Sequence, residues 1–204
     1  MTPMNIDRFY PIVPDINWLK RIVPLGINTV QLRLKDKPDD EVRKQIAQAI
    51  TLTKDTPCQL IINDYWRTAI ELGADYIHLG QEDLVSADLA EIKKAGIKLG
   101  LSSHDKKELQ TAINAEPDYI ALGPIFETKL KKMKWHPQGL ERLGTWKTKI
   151  AMQIDCPLVA IGGLTVETAP EIFAAGADSL AVVTDFITHE NPETRITEWL
   201  KATR

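Results

Sequence analysis

The chain has 204 residues, 44% of them hydrophobic and 26% charged, with a formal net charge of −3. This is the composition of a soluble globular protein, long enough to bury a sizeable core, and one domain over residues 1–204 is expected. The slightly acidic balance excludes a generally attractive surface for nucleic acid or anionic membrane, so any basic function has to be local.

In chain order, eight short apolar runs read as buried strands: "RFYPIV" (8–13), "NTVQLR" (28–33), "QLIIN" (59–63), "DYIHLG" (75–80), "IKLGLS" (97–102), "DYIALG" (118–123), "PLVAIGG" (157–163) and "DSLAVV" (178–183). Between them the apolar spacing is helical, as in Val42, Ile46 and Ile50, or in Leu89, Ile92 and Ala95, with Ser86 as the expected N-cap of the latter. A weak echo runs through "GINTVQL" (26–32), "GADYIHL" (73–79), "GADSLAV" (176–182) and, without the glycine, "EPDYIAL" (116–122). In it the glycine closes the preceding helix in the left-handed conformation, and Asp or Asn turns the chain into the next strand. Near-continuous apolar strands joined by helical crossovers predict a parallel sheet covered by helices, and eight of them predict a (β/α)₈ TIM barrel. An open doubly wound sheet is the alternative.

The N-terminus "MTPMNIDRFY" has no secretory apolar core, and nowhere do 18 apolar residues run together. Cys58 and Cys156 each stand beside a proline, without CxxC spacing, and are expected to be buried free thiols in a reducing cytoplasm. HExxH, GxGxxG after the first strand and GxxxxGK[ST] are all missing, which argues against zinc hydrolysis, dinucleotide binding and P-loop chemistry. His78 lies within a strand and is expected in the core or barrel interior. The tryptophans Trp18, Trp66, Trp146 and Trp199 are expected to pack helices.

In a TIM barrel the ends of the strands and the loops after them face the active site. Polar residues collect there: Gln31, Arg33 and Lys35; Asn63 and Asp64; Gln81, Glu82 and Asp83; Ser102 and Ser103; Thr128 with Lys129, Lys131, Lys132 and Lys134; Gly162 and Gly163; Thr184 and Asp185. Carboxylates on neighbouring loops suit Mg²⁺, which takes one or two of them and fills its shell with phosphate oxygens and water. Arg33, Lys35 and Lys131 could neutralise a diphosphate, and Gly-Gly before Thr165, an expected helix N-cap, suits a phosphate. Taken singly, Asp64 could equally cap a helix, and the lysine run could be a solvated face.

"QLRLK" (31–35), "IIND" (61–64), "GADYIHLGQEDL" (73–84), "LGLSSH" (99–104), "DYIALGPIFETKLKK" (118–132), "PLVAIGGL" (157–164) and "AAGADSLAVVT" (174–184) follow one another in an order that resembles the thiamine-phosphate synthase (thiamine-phosphate pyrophosphorylase) family. The resemblance implies a TIM barrel transferase that joins an aminopyrimidine methyl diphosphate to a thiazole phosphate and releases diphosphate. It implies Asp64 and Asp83 as Mg²⁺ ligands, and Gln31, Arg33, Lys35, Asn63, Ser102 and Lys131 around the pyrimidine diphosphate. Of these, Arg33, Lys35, Ser102 and Lys131 are the catalytic candidates. Thr128, Lys129, Leu130, Lys131, Gly163, Val183 and Thr184 are implied around the thiazole phosphate.

The chain departs from the family pattern at Leu34, where Glu is common, at Leu130, where a second threonine is usual, and in the continuation "KMKWHPQG" (132–139). Two alternatives are a paralogous thiazole tautomerase, whose members tend to lose the carboxylates and carry His where Pro124 stands, and a non-catalytic phosphate-ligand-binding barrel. Nucleic acid and membrane are not expected partners, and the oligomeric state is open, a homo-oligomer included.

Overall fold

The computed structural model of the protein describes residues 6–128 and 135–204. Its sheet contains β1 (Phe9–Val13), β2 (Thr29–Leu32), β3 (Gln59–Asn63), β4 (Tyr76–Leu79), β5 (Lys98–Ser103), β6 (Tyr119–Leu122), β7 (Leu158–Ile161) and β8 (Ser179–Val182). All neighbours are parallel, and β8 pairs with β1 to close the barrel in strand order, as expected. The strands lie within a residue or two of the ends read from the sequence.

Apolar runs form these strands because both faces are buried. Inside the barrel Tyr10, Ile12, Ile61, Tyr119, Ala121, Val159 and Ala181 form one cluster, floored by Ile6. Outside, residues of opposite parity such as Phe9, Val30, Ile62, Leu101, Ile120 and Leu158 pack under the helices. Trp66, Trp146 and Trp199 are buried in that outer layer, with Trp18 packed against it. Phe9 and Trp199 stack at 5.4 Å, docking the last helix, Pro192–Thr203, on β1.

Local chemistry sets the helix starts. Asp15 accepts the N–H groups of Asn17 and Trp18, and Asp105 those of Lys107 and Glu108. The expected cap at Ser86 is corrected: Ser86 ends an additional short helix, Gln81–Ser86, and Asp88 caps Leu89–Lys94 by accepting from Glu91. A carboxylate two residues on offers the backbone N–H a stronger acceptor than a hydroxyl. In the echo, Gly26, Gly73 and Gly176 all have positive φ, and where the fourth copy lacks glycine, Glu116 takes the same conformation at φ 49°.

Cys58 and Cys156 are buried and unpaired, and burial pushes both thiols up to about 12. Among the described residues, no helix is long and apolar enough to cross a membrane.

Candidate active site at the C-terminal mouth of the barrel

Adjacent strand ends bring together the polar residues expected at the mouth. Asp64 follows β3 in a left-handed conformation, φ 65°, which a non-glycine residue adopts only when its surroundings hold it. Its carboxylate does not cap the helix Trp66–Leu72, whose N-cap is Tyr65. Instead it pairs with Lys35 Nζ, from the segment after β2.

Asp83 reaches the same place from the helix Gln81–Ser86. Burial, then the charge and hydrogen bond of Asp64, push the Asp83 carboxyl above its usual range, with Lys35 opposing. Two carboxylates from successive loops therefore face each other. Beside them Asn63 is 5% exposed, and its Nδ2 is a buried donor without an acceptor among the described residues. A buried donor left unpaired is costly, and its neighbourhood to this pair points to an acceptor brought by a ligand.

Below the mouth, a hydrogen-bonded chain crosses the barrel interior. Gln31 Nε2 donates to Tyr10 Oη at 2.7 Å, and Tyr10 Oη and Tyr119 Oη are 2.8 Å apart. Tyr119 Oη lies 2.8 Å from His78 Nδ1, and His78 Nε2 lies 2.8 Å from Ser102 Oγ. Counting partners assigns the direction. Tyr10 accepts from Gln31, so its own proton goes to Tyr119, and Tyr119 donates to His78 Nδ1. His78 then carries its proton on Nε2 and donates to Ser102, whose hydroxyl proton is left for the mouth.

Desolvation pushes His78 down to about 4 and raises both tyrosines, so each of the three stays neutral near pH 7. The backbone of Ser102 is held too, since its carbonyl accepts Gln81 Nε2 at 2.6 Å. Ser103 points the other way, bonding Ala121 O and Trp146 Nε1 in the outer layer. Glu82 is exposed, and Arg33 is exposed at the end of β2, whereas Leu34 is 1% exposed within the outer core.

Across the mouth, Gly162 and Gly163 have φ of 97° and 71°. A Cβ on Gly163 would lie 2.5 Å from Glu127 O, and one on Gly162 would lie 2.7 Å from Pro124 Cα. Only glycine lets the two loops approach so closely. Ile125 N bonds Ile161 O at 2.9 Å and Phe126 N bonds Gly162 O at 3.0 Å, fastening the loop after β6 to that after β7. Thr165 is an N-cap, as expected, with reciprocal bonds to Thr168. Val183 and Thr184, half-buried, follow β8, and Thr128 precedes the lysine run. Lys129, Leu130, Lys131, Lys132 and Lys134 lie outside the described residues.

Asp185 is not a free carboxylate of the mouth. Both its oxygens are taken by Arg195, and one also by Trp199. The sequence reading also left out Tyr10 and Tyr119. Their signal was a tyrosine, with its polar hydroxyl, inside each of two largely apolar strands, "RFYPIV" and "DYIALG".

The model of a family described as thiamine monophosphate synthase matches residues 9–186. The chain belongs to that family. It is 55% identical over 200 residues to a thiamine-phosphate synthase of Rhizobium etli, covering 98% of this chain and 97% of the relative. It is 45% identical over 194 residues to a thiamine-phosphate synthase of Photorhabdus laumondii, covering 95% of this chain and 85% of the relative. Among solved structures, thiamine phosphate pyrophosphorylase from Pyrococcus furiosus superimposes with a TM-score of 0.82 at 24% identity, covering 96% of this chain and 95% of that one. At that identity the likeness speaks for the barrel alone; membership of the family rests on the sequence matches.

Proposed function

We propose that this family member is a thiamine-phosphate synthase: it couples 4-amino-2-methylpyrimidine-5-methyl diphosphate to a thiazole phosphate, giving thiamine phosphate and diphosphate. The whole chain, 1–204, would act as one catalytic domain in the cytoplasm. The observation that carries this reading at the site is the facing pair Asp64 and Asp83, tied to Lys35 and set beside Asn63 Nδ2, which has no acceptor among the described residues, opposite the Gly162–Gly163 loop. One side suits a metal-bound diphosphate and the other a phosphate monoester.

Asp64 and Asp83 are the residues that would hold Mg²⁺. No group of three or more His, Cys, Asp or Glu suited to a metal is gathered among the described residues. Two hard oxygen donors nonetheless fit Mg²⁺, which completes its shell with phosphate oxygens and water. When bound, it supplies positive charge against the departing diphosphate.

The remaining work is electrostatic and geometric. Arg33, Lys35 and Lys131 neutralise the diphosphate, and Asn63 Nδ2 finds its missing acceptor there. Gln31, with its Nε2 already committed, offers Oε1 to the amino group of the pyrimidine, while the Ser102 hydroxyl donates to a ring nitrogen. Held so, the methylene carbon loses its C–O bond to diphosphate as charge spreads into the pyrimidine. The thiazole nitrogen then forms the new C–N bond. Thr128, Lys129, Leu130, Gly163, Val183 and Thr184 hold the thiazole phosphate so that its nitrogen faces that carbon. No side chain has to carry a proton in this sequence, in keeping with a His78 held neutral.

Diphosphate release by the purified protein, with the two substrates and Mg²⁺ present and then with each omitted in turn, tests the reading. Release that requires all three is expected. Isomerisation of a thiazole carboxylate phosphate without coupling would instead make the protein a tautomerase.

A further inference from the structure

Arg195, in the helix Pro192–Thr203, has a carboxylate acceptor for each of its five guanidinium N–H groups. Nε donates to Asp185 Oδ2 at 2.8 Å and Nη2 to Asp185 Oδ1 at 3.0 Å. Nη2 and Nη1 reach Glu167 Oε2 and Oε1 at 2.9 and 3.0 Å, and Nη1 also reaches Glu198 Oε2 at 2.9 Å. The Arg195 side chain is 12% exposed. Trp199 Nε1, from the same helix, donates to Asp185 Oδ2 at 2.7 Å.

Two of these partners, Asp185 and Glu167, lie on the βα connections after two different strands. Asp185 is in the short helix Thr184–Ile187, which follows β8 and Val183. Glu167 lies in the 3₁₀ turn Val166–Thr168, whose N-cap Thr165 comes two residues after Gly163. One rigid, planar fork thus fixes both loops on the far side of the mouth to the last helix, bidentate to each. With every donor used, Arg195 has none left for a substrate phosphate. Three carboxylates around one cation also leave surplus negative charge, a poor surrounding for an anion unless the arrangement serves geometry.

We propose that Arg195 is a positioning residue: it sets the spacing of the Gly162–Thr165 and Val183–Asp185 loops and so determines how tightly the barrel holds a phosphate monoester. This rests on the reading of those loops as the phosphate side of the site. Lysine at this position keeps the charge but cannot be bidentate to two carboxylates, so the loops lose their common reference.

The test compares wild type with Arg195→Lys, with Glu198→Gln as a control whose carboxylate touches neither loop. Inorganic phosphate binding, followed by ³¹P line broadening, is the readout independent of turnover; the KM of each substrate is the second. In Arg195→Lys, phosphate affinity should fall and the thiazole phosphate KM rise by on the order of tenfold, with the pyrimidine diphosphate KM nearly unchanged. Glu198→Gln should leave all three alone. Unchanged phosphate affinity in Arg195→Lys, or an equal rise in both KM values, would reduce Arg195 to a brace of the fold and overturn the inference. Coupling activity in wild type without any inorganic phosphate binding would overturn it too while sparing the proposed reaction; absence of both would remove the phosphate site itself.

Discussion

The Tyr119 ring occupies the space in which Gly100 would carry a side chain: a Cβ there would stand 2.0 Å from Tyr119 Cζ. The two residues are register partners across β5 and β6. Tyr119 can therefore reach Tyr10 and His78 only because its neighbour is glycine. Gly100→Ala should destabilise the protein by about 1–3 kcal/mol, the usual cost of overpacking a core. It should also lower coupling activity by displacing the chain that ends at Ser102. Urea unfolding with activity on the same preparation checks both; unchanged stability would mean that Tyr119 can swing aside freely.

His78 gives the fold an acid sensitivity. It is buried and neutral, its pKa lowered to about 4 by desolvation first, against an ordinary value of 6.5. Between these values the unfolded chain binds a proton that the folded chain refuses. Its contribution is complete above about pH 6.5 and is lost as the pH falls towards and through 4, by roughly 3 kcal/mol in all. Stability measured from pH 7.5 to 4.5 should fall less steeply in His78→Gln than in wild type, and an equal slope would place the titration elsewhere.

Glu116 holds a conformation that glycine holds in the three other copies of the echo. A non-glycine residue in the left-handed region costs about 1–2 kcal/mol, part of which glycine returns as extra freedom in the unfolded chain. The partner lost, Lys93 at 3.7 Å, is an exposed ion pair of little value. Glu116→Gly should raise the melting temperature slightly; a lower one would show that the side chain contributes more than its backbone strain costs.

Asp83→Asn keeps the shape of the short helix Gln81–Ser86 but removes one of the two facing charges. Turnover should fall sharply, and the Mg²⁺ concentration needed for half-maximal rate should rise, with the melting temperature little changed. A magnesium titration that superimposes on that of wild type would exclude Asp83 as a metal ligand.

Lys131→Ala should cost on the order of 2–4 kcal/mol of transition-state stabilisation, as for removal of one preorganised donor. The measure is kcat/KM for the pyrimidine diphosphate. Full activity would pass the role to Lys129, Lys132 or Lys134.

The sequence by itself determined the barrel and the location of its chemistry. Eight apolar runs and the turn signals before the even strands gave the strand ends to within a residue or two, because a parallel strand buried on both faces is mostly apolar and charged residues gather where it leaves the sheet. The polar residues after seven of the eight runs therefore marked the mouth. That same double burial concealed which parity faces inward. Only the closed tertiary structure decided that Ser102 turns into the barrel and Ser103 out of it, that Asp64 meets Lys35 and Asp83 instead of capping a helix, and that Tyr10 and Tyr119 join Gln31 to His78. It also decided that Asp185, which looks like a mouth carboxylate in the sequence, is claimed by Arg195 from a helix ten residues on. These pairings join residues from different strands and helices, whose distances are set by closure of the sheet and packing of helices around it, quantities that no local pattern carries.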